Sequence, residues 1–135
     1  MDRFTLTGAG REATRMLRDG EPLKDVWRFT VIQLLDAYES RLSSEGVENA
    51  AALFTDAPSP TGDRRVDAAF AALAEHLARR DGWKVPRWAT SADRVTVDWW
   101  FVTDLRGMHP LALRESPLSF RKRGVFITSG ALERV

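Results

Sequence analysis

Two histidines, His76 and His109, are the residues of this chain best suited to act as an acid, a base or a metal ligand near neutral pH. The sequence contains no cysteine that could serve as a nucleophile or a further metal ligand. A zinc site built on histidines needs several ligands at a fixed spacing, as in His-Glu-x-x-His. No such spacing is present, so we predict no metal site and expect His76 to border the core. His109 stands among arginines and aromatic residues, which is the better position for a functional role.

Carboxylates and hydroxyls offer a second route to chemistry. Asp93, Asp98 and Asp104 surround the aromatic residues 99–101, and burial there would raise a carboxyl pKa and create a general acid or base. Their irregular spacing selects no common face, so capping and solvation are the preferred interpretation. Ser116 lacks the Gly-x-Ser-x-Gly context of a hydrolase nucleophile and is interpreted as a helix cap. We predict no catalytic residues and no cofactor, and an enzyme with an unrecognised helical active site stays open as a third hypothesis.

Aromatic residues and arginines are concentrated between Trp99 and Val135. Tryptophan and arginine are preferred anchors of protein interfaces, whereas phosphate groups attract clusters of arginine and lysine. The basic run 121–123 therefore suits either a protein partner or a nucleic acid. The predicted partner-binding residues are Trp99, Trp100, Phe101, Arg114, Phe120, Arg121, Lys122 and Arg123.

The formal charge of +1 hides an asymmetry between the two parts of the chain. Residues 1–75 contain 9 basic and 13 acidic residues, a net charge of −4, whereas residues 76–135 contain 11 and 6, a net charge of +5. Either the two parts attract one another, or the second part attracts an acidic partner. Both alternatives follow equally from the sequence.

Apolar residues at spacings of three and four predict two long helices. The first covers about 22–45, with Pro22 at its first position and Gly46 after its end. The second covers about 63–81, where alanines permit close helix approach and Glu75 is expected to face solvent together with the arginines.

The remaining segments predict short elements and loops. A shorter helix is expected at about 8–19 with Thr7 as its cap, and the two tryptophans of 83–88 are expected to pin a loop against the helices. Short helices should begin at Pro110 and Pro117, before a brief extended segment at 125–127. The predicted architecture is all-α: a single helical domain, residues 1–135, closed by an aromatic-rich C-terminal clasp.

The composition supports a hydrophobic core without a metal or disulfide, since 44% of the 135 residues are hydrophobic. The beginning of the chain lacks the apolar core of a signal peptide, and no apolar run has the length of a membrane span. We expect a soluble, cytoplasmic protein with no membrane partner.

Several strings in the second part of the chain occur together in a pattern that resembles a known family. They are Pro60-Thr61-Gly62-Asp63, the helix Ala69–Ala78, Pro86-Arg87-Trp88, Trp100-Phe101 and the stretch from Glu115 to Ile127. The pattern is similar to that of small, largely uncharacterised actinobacterial proteins, some encoded near helix-turn-helix regulators or nucleotidyltransferase-like toxins. The resemblance implies a helical bacterial protein with the role of an antitoxin or accessory subunit, and it supplies no catalytic residues.

Two functional hypotheses follow. The first is a non-enzymatic protein-binding module, the antitoxin or accessory component of a bacterial gene pair, which binds the product of an adjacent gene through residues 99–123. The alternative is a nucleic-acid-binding regulator that uses the basic C-terminal part of the chain.

Overall fold

The computed structural model describes residues 5–132, so residues 1–4 and 133–135 of the predicted domain lie outside the described residues. It is mostly helical, with 66% helix and 3% strand, which agrees with the all-α prediction. The α-helices are α1 (Leu6–Arg18), α2 (Leu23–Val26), α3 (Ile32–Glu45), α4 (Val47–Ala51), α5 (Arg64–Asp81), α6 (His109–Glu115) and α7 (Leu118–Arg121). The strands are β1 (Trp100–Phe101) and β2 (Val125–Phe126), and 3-10 turns cover Ala52–Phe54, Arg87–Thr90, Arg106–Met108 and Ser129–Leu132.

The N-terminal helix begins earlier than the sequence indicated. Thr5, not Thr7, is the N-cap of α1, and its Oγ1 accepts a hydrogen bond from the backbone N–H of Gly8 at 3.2 Å. Both threonines have a side chain that can cap, but only the earlier one precedes Leu6, which is fully buried. The apolar face of α1 therefore starts at Leu6, and the cap must come before it.

The interval 22–45, predicted as one α-helix, is divided. Pro22 is the N-cap of α2, so the helix begins one residue later than predicted. A π-helical turn, Trp27–Val31, then separates α2 from α3. In this wider turn the Thr30 hydroxyl donates to the backbone oxygen of Val26 at 2.5 Å, an oxygen that would accept the Thr30 N–H in a regular α-helix. The spacing of apolar residues in the sequence does not distinguish this π-helical turn from a regular α-helical one.

Helix α5 lies at the centre of the core. The Asp63 side chain caps it by accepting from the N–H of Arg65 at 2.8 Å, and Gly82 ends it in the left-handed conformation at φ 80°. Phe70, Leu73 and the alanines between them have no exposed surface. Small residues on most sides allow other elements to pack closely around this helix.

Two aromatic groups fill the space on either side of α5. One contains Tyr38, Phe54 and Trp83, whose ring centroids lie 5.7–6.1 Å apart. In the other, Trp27 packs edge-on against both Trp100 and Phe120 at 6.1 Å. Contacts of this kind add to the stabilisation that burial already gives.

A two-stranded parallel sheet joins the C-terminal segments, and an all-α architecture did not include it. Trp100 pairs with Val125, and Phe101 pairs with Phe126. The turn before β2 contains Gly124 at φ 79°, and its backbone oxygen accepts from the N–H of Trp100 at 2.8 Å. Only the strand expected at 125–127 had been indicated by the sequence.

Ser116 connects α6 to β2 and does not cap α7. Its hydroxyl lies 2.6 Å from the backbone oxygen of Ala112 and accepts from the N–H of Ile127 at 2.7 Å. Pro117 is the N-cap residue of α7 instead, without a side-chain hydrogen bond. The serine therefore satisfies a buried backbone donor, which is a structural role.

Candidate functional site

The exposed apolar residues are concentrated in one part of the chain. Of the eight large hydrophobic side chains exposed within residues 5–132, six lie between positions 97 and 118. We call these six the C-terminal patch: Val97, Trp99, Leu105, Met108, Leu113 and Leu118. Single exposed apolar residues need no explanation, whereas a contiguous group of them is typical of interaction surfaces.

A row of aromatic rings holds the middle of this region together. Trp99 contacts Phe126 at a centroid distance of 4.9 Å, and Phe126 stacks on Phe101 at 5.2 Å. Phe101 in turn stacks on His109 at 4.2 Å, and the two rings are nearly parallel at 12°. Trp99 is 66% exposed, so the row begins at the surface and is anchored on β2.

Three exposed arginines accompany the patch: Arg106, Arg114 and Arg121. The Arg121 guanidinium donates to the backbone oxygens of Leu113 and Arg114, at 2.8 and 3.1 Å. It therefore neutralises carbonyl groups at the C-terminal end of α6, where cations are favourable. These hydrogen bonds join α7, which carries Leu118, to α6, which carries Leu113.

Three of the predicted partner-binding residues lie inside the molecule. Phe120 is 0% exposed, Trp100 is 8% exposed and Arg123 is 3% exposed. Phe120 and Trp100 pack on Trp27, as described above. These three side chains are therefore corrected from partner contacts to core residues, because no surface of theirs is available to a partner. Trp99, Arg114, Arg121 and Lys122 are exposed and Phe101 is half-buried.

Arg123 and Lys122 bind a carboxylate that was expected in solvent. Glu75, on α5, is 1% exposed. Its Oε1 lies 2.5 Å from Arg123 Nη1, and its Oε2 lies 2.7 Å from both Lys122 Nζ and Arg79 Nη2. Arg123 also donates to the backbone oxygens of Ser119 and Ala89, at 2.8 and 2.7 Å. Both terminal nitrogens of the guanidinium therefore donate hydrogen bonds.

The electrostatics of this cluster favour an ionised glutamate. Burial alone would raise the pKa of Glu75, but the hydrogen bonds from Lys122, Arg123 and Arg79 outweigh burial and lower this pKa to about 2. At neutral pH the group is a carboxylate and cannot act as a general acid. Of the two alternatives for the basic run, internal pairing therefore applies to Lys122 and Arg123, while Arg121 faces outward.

The other candidate acids and bases make packing contacts, hydrogen bonds or ion pairs that suit a structural role. His76 lies edge-on to Phe120 at 6.0 Å, and burial lowers its pKa. Asp93 is exposed and accepts from the Ser91 hydroxyl at 2.6 Å, which lowers its pKa and opposes a role as general acid. Asp104 forms an exposed ion pair with Lys24 at 3.5 Å. Across residues 5–132 no group of three or more potential metal ligands is present.

Five of the six patch residues were missed at the level of sequence. Leu105, Met108, Leu113 and Leu118 stand in short segments near glycine or proline, where periodicity gives no face. Only Trp99 was predicted, because its residue type is typical of interfaces.

Within the described part of the chain, no helix has both the length and the apolar character needed to cross a bilayer.

Comparison with protein-family models, with curated proteins and with solved structures gave no match to this chain. The resemblance to small actinobacterial proteins therefore stays a prediction from the sequence pattern.

Proposed function

We propose that this protein is a protein-binding module that docks an acidic partner on the C-terminal patch. The observation that carries the proposal is the concentration of exposed apolar side chains between Val97 and Leu118. Interfaces combine an apolar centre with a polar rim, and tryptophan and arginine contribute most to their affinity. Trp99 and its neighbouring arginines supply this combination.

The charge around the patch selects the partner. Arg106, Arg114 and Arg121 are exposed. The nearby carboxylates are Asp98, Glu115 and Asp104, and Asp104 is paired with Lys24. With that pair counted as neutral, three positive and two negative charges leave a net charge of +1. Complementary charges accelerate association and exclude partners of the same sign. An acidic protein surface with apolar side chains at its centre fits these requirements.

The buried predicted residues have a different part in the proposal. Trp100 and Phe120 pack on Trp27, and Arg123 pairs with Glu75, contacts that support the proposal of a clasp. They hold the exposed residues in place, and a rigid surface loses less entropy when it binds. The role of antitoxin or accessory subunit rests on the family resemblance alone, and it names the product of an adjacent gene as the first partner to test.

Co-expression with the adjacent gene, followed by affinity capture, tests the proposal. The wild-type protein should retain the neighbour, and Trp99→Ala should weaken binding about 30-fold, corresponding to roughly 2 kcal/mol for an interface hot spot. Phe29→Ala is the matched control, because Phe29 is 50% exposed but lies outside the patch. Both variants should stay folded, and Trp99→Ala should lower the melting temperature slightly because its ring contact with Phe126 is lost.

The proposal fails if the neighbour never copurifies and its toxicity is unchanged, or if Phe29→Ala weakens capture as much as Trp99→Ala. The nucleic-acid alternative has lost support, since Lys122 and Arg123 both pair with Glu75. It predicts binding to single- or double-stranded probes that weakens steeply as salt rises. A salt titration with both probes tests it separately.

A further inference from the structure

A groove lies apart from the C-terminal patch, between α4 with its following 3-10 turn and the loop 83–88. Its volume is about 560 Å³, within the range of roughly 300–1,000 Å³ that small-molecule sites occupy. Trp83 and Trp88 line one side, and Ala51 and Ala52 line the other. None of the patch residues lines this groove.

The two indole rings are held from behind. Trp83 Nε1 donates to the Tyr38 hydroxyl at 2.8 Å, and Trp88 Nε1 donates to the backbone oxygen of Phe54 at 3.0 Å. These bonds confirm the prediction that the tryptophans pin the loop to the helices. Since both indole N–H groups are used inside, the rings offer carbon surface to the groove. Their orientation is set before a ligand arrives, which reduces the entropy lost on binding.

Two alanine methyl groups form the apolar part of the opposite wall, and Glu48 and Thr55 also line the groove. The side chains of Ala51 and Ala52 are the smallest that still carry a Cβ, so they leave room for a flat group between themselves and the indoles. A ring or a planar chain suits the space between the alanines and the indoles better than a branched, hydrated group, because these carbon surfaces cannot replace lost water contacts.

The charges at the groove favour an anion. Lys84 and Arg87 are exposed and line it, together with one carboxylate, that of Glu48. Within residues 5–132 neither cation forms an ion pair. The net charge of the lining is therefore +1. Indole faces also attract cations, but a cationic ligand would meet Lys84 and Arg87 at the same time.

The geometry points to a binding site for a small aromatic carboxylate. The flat ring lies between Trp83, Trp88 and the two alanines, and the carboxylate pairs with Arg87 and Lys84. This site is independent of the docking surface described above, since it lies on different elements and takes a different class of ligand.

Three probes with the same ring test the charge requirement: indole-3-acetate, indole-3-acetamide and tryptamine, with charges of −1, 0 and +1. Each is titrated into the protein labelled with ¹⁵N, and amide shifts are followed by NMR. The acetate should shift the amides of 51–52 and 83–88. It should bind about fivefold more tightly than the amide, as expected for one or two exposed ion pairs, and tryptamine should bind most weakly.

Two variants separate the charge from the cavity. Arg87→Ala should reduce the affinity for indole-3-acetate about threefold and leave that for indole-3-acetamide unchanged. Ala52→Leu fills the groove and should weaken all three probes. Arg106→Ala is the matched control and should change none of them, because Arg106 lies outside the groove and is one of the arginines that accompany the C-terminal patch. Thermal unfolding of each variant confirms that it is folded.

The inference is overturned if the three probes bind equally, if the shifted amides lie outside the groove, or if no shift appears at about 10 mM probe, a concentration at which even a fragment of millimolar affinity is mostly bound. A partner captured by the C-terminal patch would leave each of these results unchanged.

Discussion

Replacement of Glu75 by glutamine is the perturbation that best tests the physical account of this fold. Glutamine keeps the shape of the side chain but removes its charge. Arg123, which is 3% exposed, would then be buried without a counter-ion, although its bonds to Ser119 and Ala89 would persist. Removal of one member of a buried ion pair costs about 3–5 kcal/mol.

The lowered pKa of Glu75 gives a second estimate of the same quantity. A glutamate titrates near 4.3 in an unfolded chain, and this one titrates at about 2 in the fold. Since one pKa unit equals about 1.36 kcal/mol, ionised Glu75 stabilises the fold by about 3 kcal/mol at pH 7. Because the folded pKa is the lower one, this contribution is complete well above pH 4.3 and is lost as pH falls toward 2.

Urea unfolding of the wild type and Glu75→Gln at several pH values measures both effects. The difference in unfolding free energy should be about 3 kcal/mol at pH 7 and should shrink to about 1.4 kcal/mol at pH 3. Glu48→Gln is the matched control, because Glu48 is exposed. A difference below about 1 kcal/mol at pH 7, or one that stays constant down to pH 3, would refute the reasoning.

Three further substitutions probe the packing around the two candidate sites. Tyr38→Phe should cost about 1–3 kcal/mol in urea unfolding, because Trp83 Nε1 loses its acceptor, and the added mobility of that indole should weaken indole-3-acetate binding. Gly124→Ala should lower the melting temperature by several degrees, since the residue has φ 79° and a Cβ there would collide with the Thr96 hydroxyl; an unchanged melting curve would contradict the geometry of the turn. Ser116→Ala should destabilise by about 1–3 kcal/mol, because the Ile127 N–H is left buried without an acceptor, whereas the same change at exposed Ser43 should have little effect.

The helical content was accessible from the sequence because it depends on local patterns. Asp63 and Gly82 mark the ends of α5 through capping and a left-handed turn, and both are properties of single residue types. The π-helical turn at Trp27–Val31 was not accessible, because the apolar residues in and after it follow spacings of three and four that also fit a regular α-helix. Local sequence patterns therefore predict that a segment is helical, but they do not distinguish an α-helical turn from a π-helical one.

The position of Glu75 shows why the candidate site was predicted only in part. A glutamate on a helix is solvated unless distant cations approach it, and its partners Lys122 and Arg123 are 47 and 48 positions away. The charge asymmetry of the two parts of the chain was the visible signal, but it does not identify a pair. In the same way, residue type alone cannot separate Trp99, which is exposed, from Trp100, which is buried.

Strand β1 and its pairing with β2 were missed for a related reason, although an extended segment at 125–127 was predicted. Strands as short as β1 and β2 contain too few residues to establish an alternation. Their pairing is parallel and joins Trp100 to Val125, so the contact depends on the path of the chain through α6 and α7. Only the tertiary structure brings these positions together.

The separation between Glu75 and Arg123 also has a consequence during synthesis of the chain. Helix α5 leaves the ribosome with only Arg79, on the same helix, as a partner for the Glu75 carboxylate, and Arg123 follows 48 residues later. At 5–20 residues per second this delay lasts roughly 2–10 s. Throughout that interval, closing α5 into the core would bury the carboxylate with one exposed counter-ion, Arg79, instead of the three cations that contact it in the complete fold. We therefore expect the nascent chain to complete its core only after residues 121–123 have been synthesised. Until then, chaperones and proteases can act on the incompletely folded chain.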